Sequence, residues 1–521
     1  MTGEARLNAG RLAPARLKSS RYWCAAPLVV SLAIFTGRTR LLPLNGDEPH
    51  YLIIAESVAM DRDLDVRNNY LRDFDDYHIY GLTIPHVYNV PRGWMPAHMP
   101  GLGILVSAPF AIAGARGARI LLILIAGTLP FITLSVLRRS GETVDDLAVW
   151  TACGLTVAVP TLFGAPQIYP DLPAGVLTLA LTVWLLRRGV SPSGPSTLNE
   201  DQIAERGARL PRRDDREYRE YLTEEQRRQP ECPAREVVLD QRGRATRSAL
   251  GWAAFWLWAG LLPWLHVKYA GTTLVLVAGG LLIGWRSRSR QLSAAAIWLS
   301  PLVAFGIVAL IGFHMWAFGT PLGPPRASHE LTTSPARAAE IFLGLHLDQS
   351  QGMFVQHPLL LLGVAGLPWL LRSRPAFGIL WLALYASAIL PNSLELARYG
   401  GNGPVGRFAW TAMWLWTIPA AILVVDFRDR FARYIRPAVL LVFAYQAALA
   451  VRWLATPGIM FPHLDPPRDS MFPERMQPWL PSFYFWDFSG YWRFGANLIA
   501  LGIVLLVFCA GMVARTPERD T

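Results

Sequence analysis

Two adjacent carboxylates, Asp47 and Glu48, directly follow the first apolar segment of the chain. Carboxylates at the edge of a membrane are costly to desolvate, so their presence there points to a function. They could cap a helix that begins at Pro49, since acids before a first turn complement the helix dipole. They could also serve as a general base or as ligands of a divalent ion. The two interpretations are compatible, because a capping position keeps a carboxylate ionised.

A helix is predicted after Pro49, because Tyr51, Ile54, Ala55 and Val58 form one apolar stripe at helical spacing. Such a stripe is typical of a helix that lies on a membrane interface. Tyr51 follows the two acids closely and is a candidate substrate contact.

Lysine occurs only at Lys18 and Lys268, whereas arginine supplies nearly all the other positive charge. Lys268 lies between two apolar segments on the predicted outer side. An ammonium group there could neutralise a lipid-bound phosphate as a point charge. Alternatively, its stem could lie in the membrane while its head reaches water at a helix end. Its neighbours His266 and Tyr269 are further candidate substrate contacts.

Three more outer residues stand beside a turn or a helix start. Asp171 lies at the outer end of a predicted helix, where it could cap that helix or flank the same pocket as Asp47. His98 precedes a short helix opened by a Pro-Gly pair, and it could contribute to an anion site or be structural. Arg407 ends a glycine-rich turn and could bind an anion or anchor the chain at the interface.

The composition is that of a polytopic membrane protein. Of 521 residues, 52% are hydrophobic and only 17% are charged, and the charges cluster between long apolar runs. The net charge is +11, and the basic residues behind it lie mainly at predicted helix ends. This placement indicates how the helices are oriented in the membrane and does not suggest binding of nucleic acid. The four cysteines show no metal spacing and no disulfide framework.

Orientation follows from the arginine clusters. If the short segment 101–115 lies on the outer interface without crossing, every cluster from Arg138 to Arg430 is cytoplasmic, as the positive-inside rule requires. The sequence therefore predicts an all-α protein with both ends inside and about twelve spanning helices. The predicted spans are 23–43, 118–137, 146–165, 172–186, 248–266, 269–284, 293–318, 357–371, 376–391, 409–425, 437–452 and 493–513.

The same topology predicts the domain organisation. The polar segment 187–247 is expected to be a cytoplasmic insert, with a polar helix at 214–229 and otherwise flexible chain. The full division is a cytoplasmic N-terminus (1–22), a membrane module (23–186) with a long outer loop (44–117), the insert (187–247), a second membrane module (248–452) with outer loops 319–356 and 392–408, an outer loop that packs over the membrane face (453–492), and a last helix with a cytoplasmic tail (493–521).

Taken in order, these elements resemble the GT-C superfamily of integral-membrane glycosyltransferases, in particular its protein O-mannosyltransferase and aminoarabinose-transferase branch. The resemblance covers roughly residues 20–420. The matching elements are Asp47-Glu48 after the first helix, His98-Met99-Pro100-Gly101 where the family has a His- or Lys-Pro-Pro-like element, Asp171, Lys268, Phe318-Gly319-Thr320-Pro321, and the glycine-rich turn from Gly400 to Phe408. The sequence departs from the family at His98, where the family's Lys-Pro-Pro form has lysine, and in the insert 187–247.

The resemblance implies transfer of a sugar from a polyprenyl-phosphate donor to an acceptor hydroxyl of a lipid, glycan or protein, with inversion. It further implies a bacterial inner (plasma) membrane location with the site facing the periplasm or exterior. Asp47 would be the base, supported by Glu48, and Asp171 would position the acceptor. Lys268, with Arg407 or His98, would stabilise the leaving phosphate. Asp47 and Asp171 could hold a divalent cation, Mg²⁺ or Mn²⁺, which some branches of the family need.

Two other functions fit the sequence. A transporter or flippase of a lipid-linked or anionic solute could use the same cations, although the chain lacks the internal repeat that transporters often show. A noncatalytic assembly subunit could keep the fold without the chemistry.

Overall fold

The computed structural model describes residues 24–37, 44–75, 84–138, 145–189, 233–287, 290–324, 331–395, 403–456, 472–483 and 491–513. Helices dominate, because a helix satisfies its own backbone hydrogen bonds in an apolar environment. The helices are α1 (Ala26–Gly37), α2 (Glu48–Glu56), α3 (Arg67–Asp75), α4 (Pro100–Ala126), α5 (Leu129–Leu137), α6 (Asp146–Thr156), α7 (Val159–Phe163), α8 (Asp171–Gly189), α9 (Pro233–Leu265), α10 (Ala270–Arg286), α11 (Arg290–Trp298), α12 (Pro301–Phe318), α13 (Pro335–Leu347), α14 (Met353–Gln356), α15 (Leu361–Ser373), α16 (Pro375–Ser393), α17 (Trp410–Met413), α18 (Thr417–Asp426), α19 (Arg428–Ala455) and α20 (Tyr491–Val513). Two short strands, β1 (Val87–Val90) and β2 (Gly93–Pro96), form an antiparallel hairpin.

Eight helical stretches in the described part of the chain are long and apolar enough to cross a membrane. The prediction of an all-α polytopic membrane protein is therefore confirmed. The other predicted spans are less regular within the described ranges: α1 has 12 residues, α15 has 13, a break separates α6 from α7, and α8 ends in two arginines. The number of twelve crossings stays a prediction.

The predicted separation of 101–115 from the following span has a physical cause in α4. Ala113 and Gly114 leave helical geometry, and Gly114 has a positive φ of 57°. The chain bends there so sharply that a Cβ atom on Gly117 would collide with the carbonyl oxygen of Pro109. The first part of α4 is thus a helix with its own direction, and its place in the first outer loop stays a prediction.

Helix α2 differs from the prediction of a single apolar stripe. All residues from Glu48 to Ala55 are buried, including His50 on the polar side. Its backbone lies so close to α4 that a Cβ atom on Gly103 would overlap the side chain of Ile54. Helix α2 is consequently packed inside the protein on all sides, and the expectation of an amphipathic surface helix is wrong.

A central segment, 407–426, is enclosed by its neighbours. It runs as a 3-10 turn (Arg407–Ala409), α17, a second 3-10 turn (Trp414–Trp416) and α18. Of its most apolar stretch of 18 residues, 94% is buried inside the protein. Glycines on both flanking helices allow this close packing: Gly175 of α8 meets the carbonyl group of Trp410, and Gly363 of α15 meets that of Trp416. The segment carries Arg407 into the interior beside α2 and α8.

The C-terminal part of the predicted insert is helical. Helix α9 begins at Pro233, so the expectation of flexible chain at 233–247 is wrong, and the bounds 187–247 of the insert stay a prediction. The predicted polar helix 214–229 lies outside the described residues. In the last outer loop, the backbone N–H of Phe483 donates to Asp348 at 3.0 Å, and the N–H of Gln349 donates to the carbonyl of Pro481 at 2.8 Å.

Candidate active site

The carboxylate of Asp47 forms an ion pair with Arg407. Nη1 of Arg407 donates to Oδ2 of Asp47 at 2.9 Å, although the two residues are 360 positions apart. Gly406, with a φ of 74°, turns the chain before Arg407, and its N–H donates to Oε1 of Gln351. The side chain of Asp47 makes no capping bond to α2. The interpretations of Asp47 as a cap and of Arg407 as an interfacial anchor are therefore wrong.

This ion pair controls the basicity of Asp47. Burial alone would raise the pKa of Asp47, but the positive charge of Arg407, and then that of His98 when it is protonated, outweigh burial and hold the pKa well below its usual range. Asp47 is consequently ionised at neutral pH. A carboxylate with such a low pKa is a weak base for as long as Arg407 stays paired with it.

Glu48 lies deeper and is fully buried. Its carboxylate accepts hydrogen bonds from the N–H of Ile168 at 2.8 Å and from the N–H of Asn45 at 3.1 Å, and Nη2 of Arg119 lies 3.5 Å away. With its amide nitrogen turned toward Glu48, Gln167 also donates at 2.9 Å. Burial raises the pKa of Glu48, and Arg119 and the two backbone donors oppose that effect. Because these donors enclose Glu48, the geometry favours a positioning role over direct catalysis.

A second ion pair joins Asp171 to Lys268. Nζ of Lys268 lies 2.6 Å from Oδ1 of Asp171, and the hydroxyl of Tyr269 donates to the same oxygen at 2.9 Å. Thr411 of the central segment lies 3.1 Å from the Tyr269 hydroxyl and donates to the Asp171 carbonyl at 3.2 Å. Side-chain exposure is 8% for Lys268 and 2% for Asp171. The interpretation of Lys268 as a surface lysine that reaches water is therefore wrong.

His266 contributes indirectly to this second pair. Its ring Nδ1 accepts the backbone N–H of Lys268 at 3.2 Å, which fixes the 3-10 turn Val267–Tyr269 between α9 and α10. This turn presents Lys268 and Tyr269 toward Asp171. His266 thus holds the turn, and its contact with substrate stays a prediction.

Both cations of the two ion pairs lie at one aromatic ring. Nζ of Lys268 lies 4.7 Å from the ring centre of Phe408, and the guanidinium carbon of Arg407 lies 5.2 Å from the same centre. The Arg407 guanidinium also stacks on Tyr169 at 4.2 Å, and the Tyr169 hydroxyl donates to the carbonyl of Asn45 at 2.6 Å. Each ion pair thus has its cation at Phe408, and we call the four charged residues with Phe408 the charge cluster.

His98 and Tyr51 border the charge cluster on the α2 side. Nε2 of His98 lies 4.0 Å from Oδ1 of Asp47, and the ring centres of His98 and Tyr51 are 5.0 Å apart. Burial lowers the pKa of His98, although Asp47 acts in the opposite direction. A lowered pKa favours the neutral form of His98, and a contact of His98 with a phosphate stays a prediction.

The fold brings further residues to this place that the sequence did not indicate. Tyr169 and Arg119 are an aromatic and a basic residue of common types, and nothing in their local sequence distinguishes them, whereas Phe408 ends the glycine-rich turn noted above. His50 and His86 lie beside His98. The ring centres of His50 and His86 are 3.8 Å apart, and those of His86 and His98 are 5.3 Å apart. A signal for the histidines was present, because four of the ten histidines, His50, His78, His86 and His98, fall in the loop 44–117.

The predicted metal ligands are each engaged by a cation. Asp47 pairs with Arg407, and Asp171 pairs with Lys268, so a cation already compensates each carboxylate. Among the described residues, the group with metal-ligand spacing is His50, His86 and His98. Binding of Mg²⁺ or Mn²⁺ by Asp47 and Asp171 stays a prediction.

The fold and the charge cluster define an integral membrane protein of the all-α polytopic class. No protein-family model and no curated protein matches the sequence. Among solved structures, the chain is similar to the crystal structure of ArnT from Cupriavidus metallidurans bound to undecaprenyl phosphate, with 14% sequence identity. The similarity covers 94% of this chain and 75% of that chain with a TM-score of 0.44, which is too low to carry an argument about function.

Proposed function

We propose that this protein is a membrane glycosyltransferase that moves a sugar from a polyprenyl-phosphate donor to an acceptor hydroxyl at the outer membrane face, with inversion. The observation that carries the proposal is the charge cluster, in which a carboxylate beside an arginine and a carboxylate beside a lysine share one buried aromatic ring. Burying charged side chains at such depth costs free energy even when they are paired, so their presence points to a role in binding or chemistry.

Arg407 is suited to bind the phosphate of the donor. Its Nη1 is engaged by Asp47, while its Nε is buried and has no hydrogen-bond partner within the described part of the chain. A buried unsatisfied donor on a guanidinium is costly, and a phosphate oxygen would satisfy it. Lys268 would add a second positive charge at the same Phe408 ring.

Donor binding would also activate the base. A phosphate that attracts Arg407 weakens the ion pair that holds the pKa of Asp47 down, so the carboxylate becomes a stronger proton acceptor only when donor is present. Asp47 then takes the proton from the acceptor hydroxyl as its oxygen attacks the anomeric carbon. The bond between that carbon and the phosphate oxygen breaks, and the polyprenyl phosphate leaves with one additional negative charge. Arg407 and Lys268 would stabilise that charge as it develops.

Asp171 and Glu48 would hold the reacting groups in place. Asp171 fixes the ammonium of Lys268 and the hydroxyl of Tyr269, and Glu48 fixes the backbone at Asn45 and Ile168. Asp171 would therefore act through Lys268, and Glu48 through the backbone that positions Asp47. Tyr51, buried beside His98, would line the acceptor side.

The proposal is tested by transfer of a radiolabelled sugar from a panel of synthetic polyprenyl-phosphate sugars, with the protein in liposomes. The wild type is expected to release polyprenyl phosphate and label an acceptor for one donor of the panel, and Asp47→Asn is expected to lose transfer. The matched control is Glu340→Gln, because Glu340 also pairs with an arginine at 2.9 Å but lies outside the charge cluster. Full activity of Asp47→Asn would remove Asp47 as the base, and transfer from no donor of the panel by the wild type would reject the proposal.

Transport of a lipid-linked or anionic solute is the second candidate, and one observation favours it. The central segment is interrupted by two 3-10 turns and carries its arginine at the end of a span, and discontinuous helices are common around transporter binding sites. Movement of a labelled donor lipid across liposomes without cleavage of its sugar–phosphate bond would favour transport over transfer.

A further inference from the structure

Three histidines meet at the edge of the charge cluster, and the proposed reaction assigns no step to them as a group. His50 lies on α2, His86 directly precedes β1, and His98 lies two residues before the start of α4. One ring nitrogen from each residue lies within 4.8 Å of the others. The cluster therefore joins three separate segments of the first outer loop.

The distances are also compatible with one small metal ion between the rings. Nδ1 of His86 and Nε2 of His98 lie at hydrogen-bonding distance, 3.1 Å apart. Two imidazole nitrogens on one tetrahedral Zn²⁺ are separated by about 3.3 Å, given bonds of about 2.0–2.1 Å. The rings of His50 and His86 are stacked with centres 3.8 Å apart and an interplanar angle of 16°. These two rings must turn before their lone pairs can converge on one point.

Two of the three histidines, His50 and His98, have the protonation state that metal binding requires. Burial, followed by the nearness of His86 and His98, lowers the pKa of His50 to about 3. Burial also lowers the pKa of His98. Neutral imidazoles keep the lone pair that coordinates a metal.

A neighbouring hydroxyl can orient the first ligand. The hydroxyl oxygen of Tyr70 lies 2.6 Å from Nδ1 of His50. If Nδ1–H donates to that oxygen, Nε2 carries the lone pair and faces the metal. Partners of this kind fix the tautomer and ring orientation in metal sites and strengthen binding.

We infer that His50, His86 and His98 bind one divalent transition-metal ion of the Zn²⁺ class, with Tyr70 as the positioning residue for His50. Three imidazoles favour Zn²⁺, Co²⁺ or Ni²⁺ over Mg²⁺ or Mn²⁺, which prefer oxygen ligands. The nearby carboxylate of Asp47, 4.0 Å from Nε2 of His98, adds attraction for a cation, and Arg407 on the far side of Asp47 opposes it. With three protein ligands, a tetrahedral ion has its fourth position available for water or substrate.

The ion would tie together α2, the hairpin and the start of α4, which are the segments that carry Asp47 and His98. It would thus set the shape of the first outer loop independently of the glycosyl-transfer proposal. Its binding can be measured without donor or acceptor, so failure of one proposal does not decide the other.

The test uses full-length protein purified with an affinity tag that contains no histidine, because oligohistidine itself binds Zn²⁺. The protein is stripped with chelator, incubated with ZnCl₂, desalted and analysed for metal by mass spectrometry. The wild type and the control His314→Gln, whose histidine lies outside the cluster, are expected to retain one Zn²⁺ per chain. His86→Ala is expected to retain none. Because His86 is partly exposed, this variant is expected to fold, and elution as a single species checks that it does.

Affinity and geometry provide the second measurement. Tyr70→Phe removes one hydroxyl and is expected to weaken Zn²⁺ binding by about 10–100-fold in competition with a chromogenic chelator. Substitution with Co²⁺ is expected to give the intense visible absorption of a tetrahedral site in the wild type and not in His86→Ala. Failure of the wild type to retain Zn²⁺, or equal retention by His86→Ala, would overturn the inference.

Discussion

The substitution Asp47→Asn separates the structural role of the Asp47–Arg407 pair from its chemical role. The pair is 2.9 Å long, and its side chains are 27% and 10% exposed. Removing one partner of a fully buried pair costs about 3–5 kcal/mol. Asparagine keeps a carbonyl oxygen that can accept from Nη1, and Asp47 keeps some contact with solvent. The expected loss is therefore the difference between a charged and a neutral hydrogen bond, about 1–2 kcal/mol of unfolding free energy.

The expected effect on transfer is larger. Loss of a general base lowers the rate by about 10²–10⁴-fold, which corresponds to about 2.7–5.4 kcal/mol in the activation free energy. Thermal unfolding in detergent measures the first quantity, and initial rates of label transfer in liposomes measure the second. Both are compared with Glu340→Gln, whose arginine pair lies outside the charge cluster and which is expected to change neither quantity measurably.

The relation between the two quantities decides the interpretation. A small loss of stability with a large loss of rate supports Asp47 as the base. A rate within tenfold of the wild type, accompanied by the expected loss of stability, would show that Asp47 only holds Arg407. In that case the proton acceptor must be another group, and the argument that donor binding frees Asp47 fails.

The remaining predictions concern the rest of the charge cluster. Lys268→Met leaves Asp171 buried without its cation, so the unfolding free energy is expected to fall by about 3–5 kcal/mol. The double variant Lys268→Met/Asp171→Leu removes both charges and should recover much of this loss. If it recovers none, the ion pair between Lys268 and Asp171 is not the cause of the loss. Phe408→Leu removes the ring faced by both cations and should cost about 1–2 kcal/mol through lost cation–π contacts, measured by denaturation against Phe305→Leu on an exposed helix face. Because the folded pKa of Asp47 lies below its unfolded value, its stabilisation is present above about pH 4 and is lost as the pH falls through the folded pKa. The difference in thermal midpoint between wild type and Asp47→Asn should therefore be constant from neutral pH to about pH 5 and shrink only below that, and a difference that disappears near neutral pH would contradict the assigned shift.

The membrane spans and the residues of interest followed from local sequence. Continuous apolar runs predict helices whatever their neighbours are. The sequence also divides segment 101–115 from the span that follows it, and α4 bends at Gly114 between the two. Asp47, Asp171 and Lys268 were singled out because a charge beside an apolar run is locally unusual. These are properties of a short stretch of chain, so the sequence is sufficient to reveal them.

The partners of those residues were decided by the tertiary structure. Capping predicted a local role for Asp47, whereas its partner is Arg407, 360 positions away. One of the two interpretations of Lys268, a lysine at a helix end that reaches water, would leave its side chain exposed. Packing of the central segment between α8 and α15 instead buries Lys268 against Asp171, 97 positions away. The three histidines came together only because α2, the hairpin and α4 fold onto one another.

The physical reason is the range over which each effect acts. Hydrophobicity and backbone propensity are set within one or two helical turns, so the sequence alone determined an all-α membrane protein and marked its unusual charges. Which opposite charge compensates a buried carboxylate depends on which helices pack together and on the water that they exclude. Only the tertiary structure decided that Asp47 pairs with Arg407, that Asp171 pairs with Lys268, and that both cations lie at one aromatic ring.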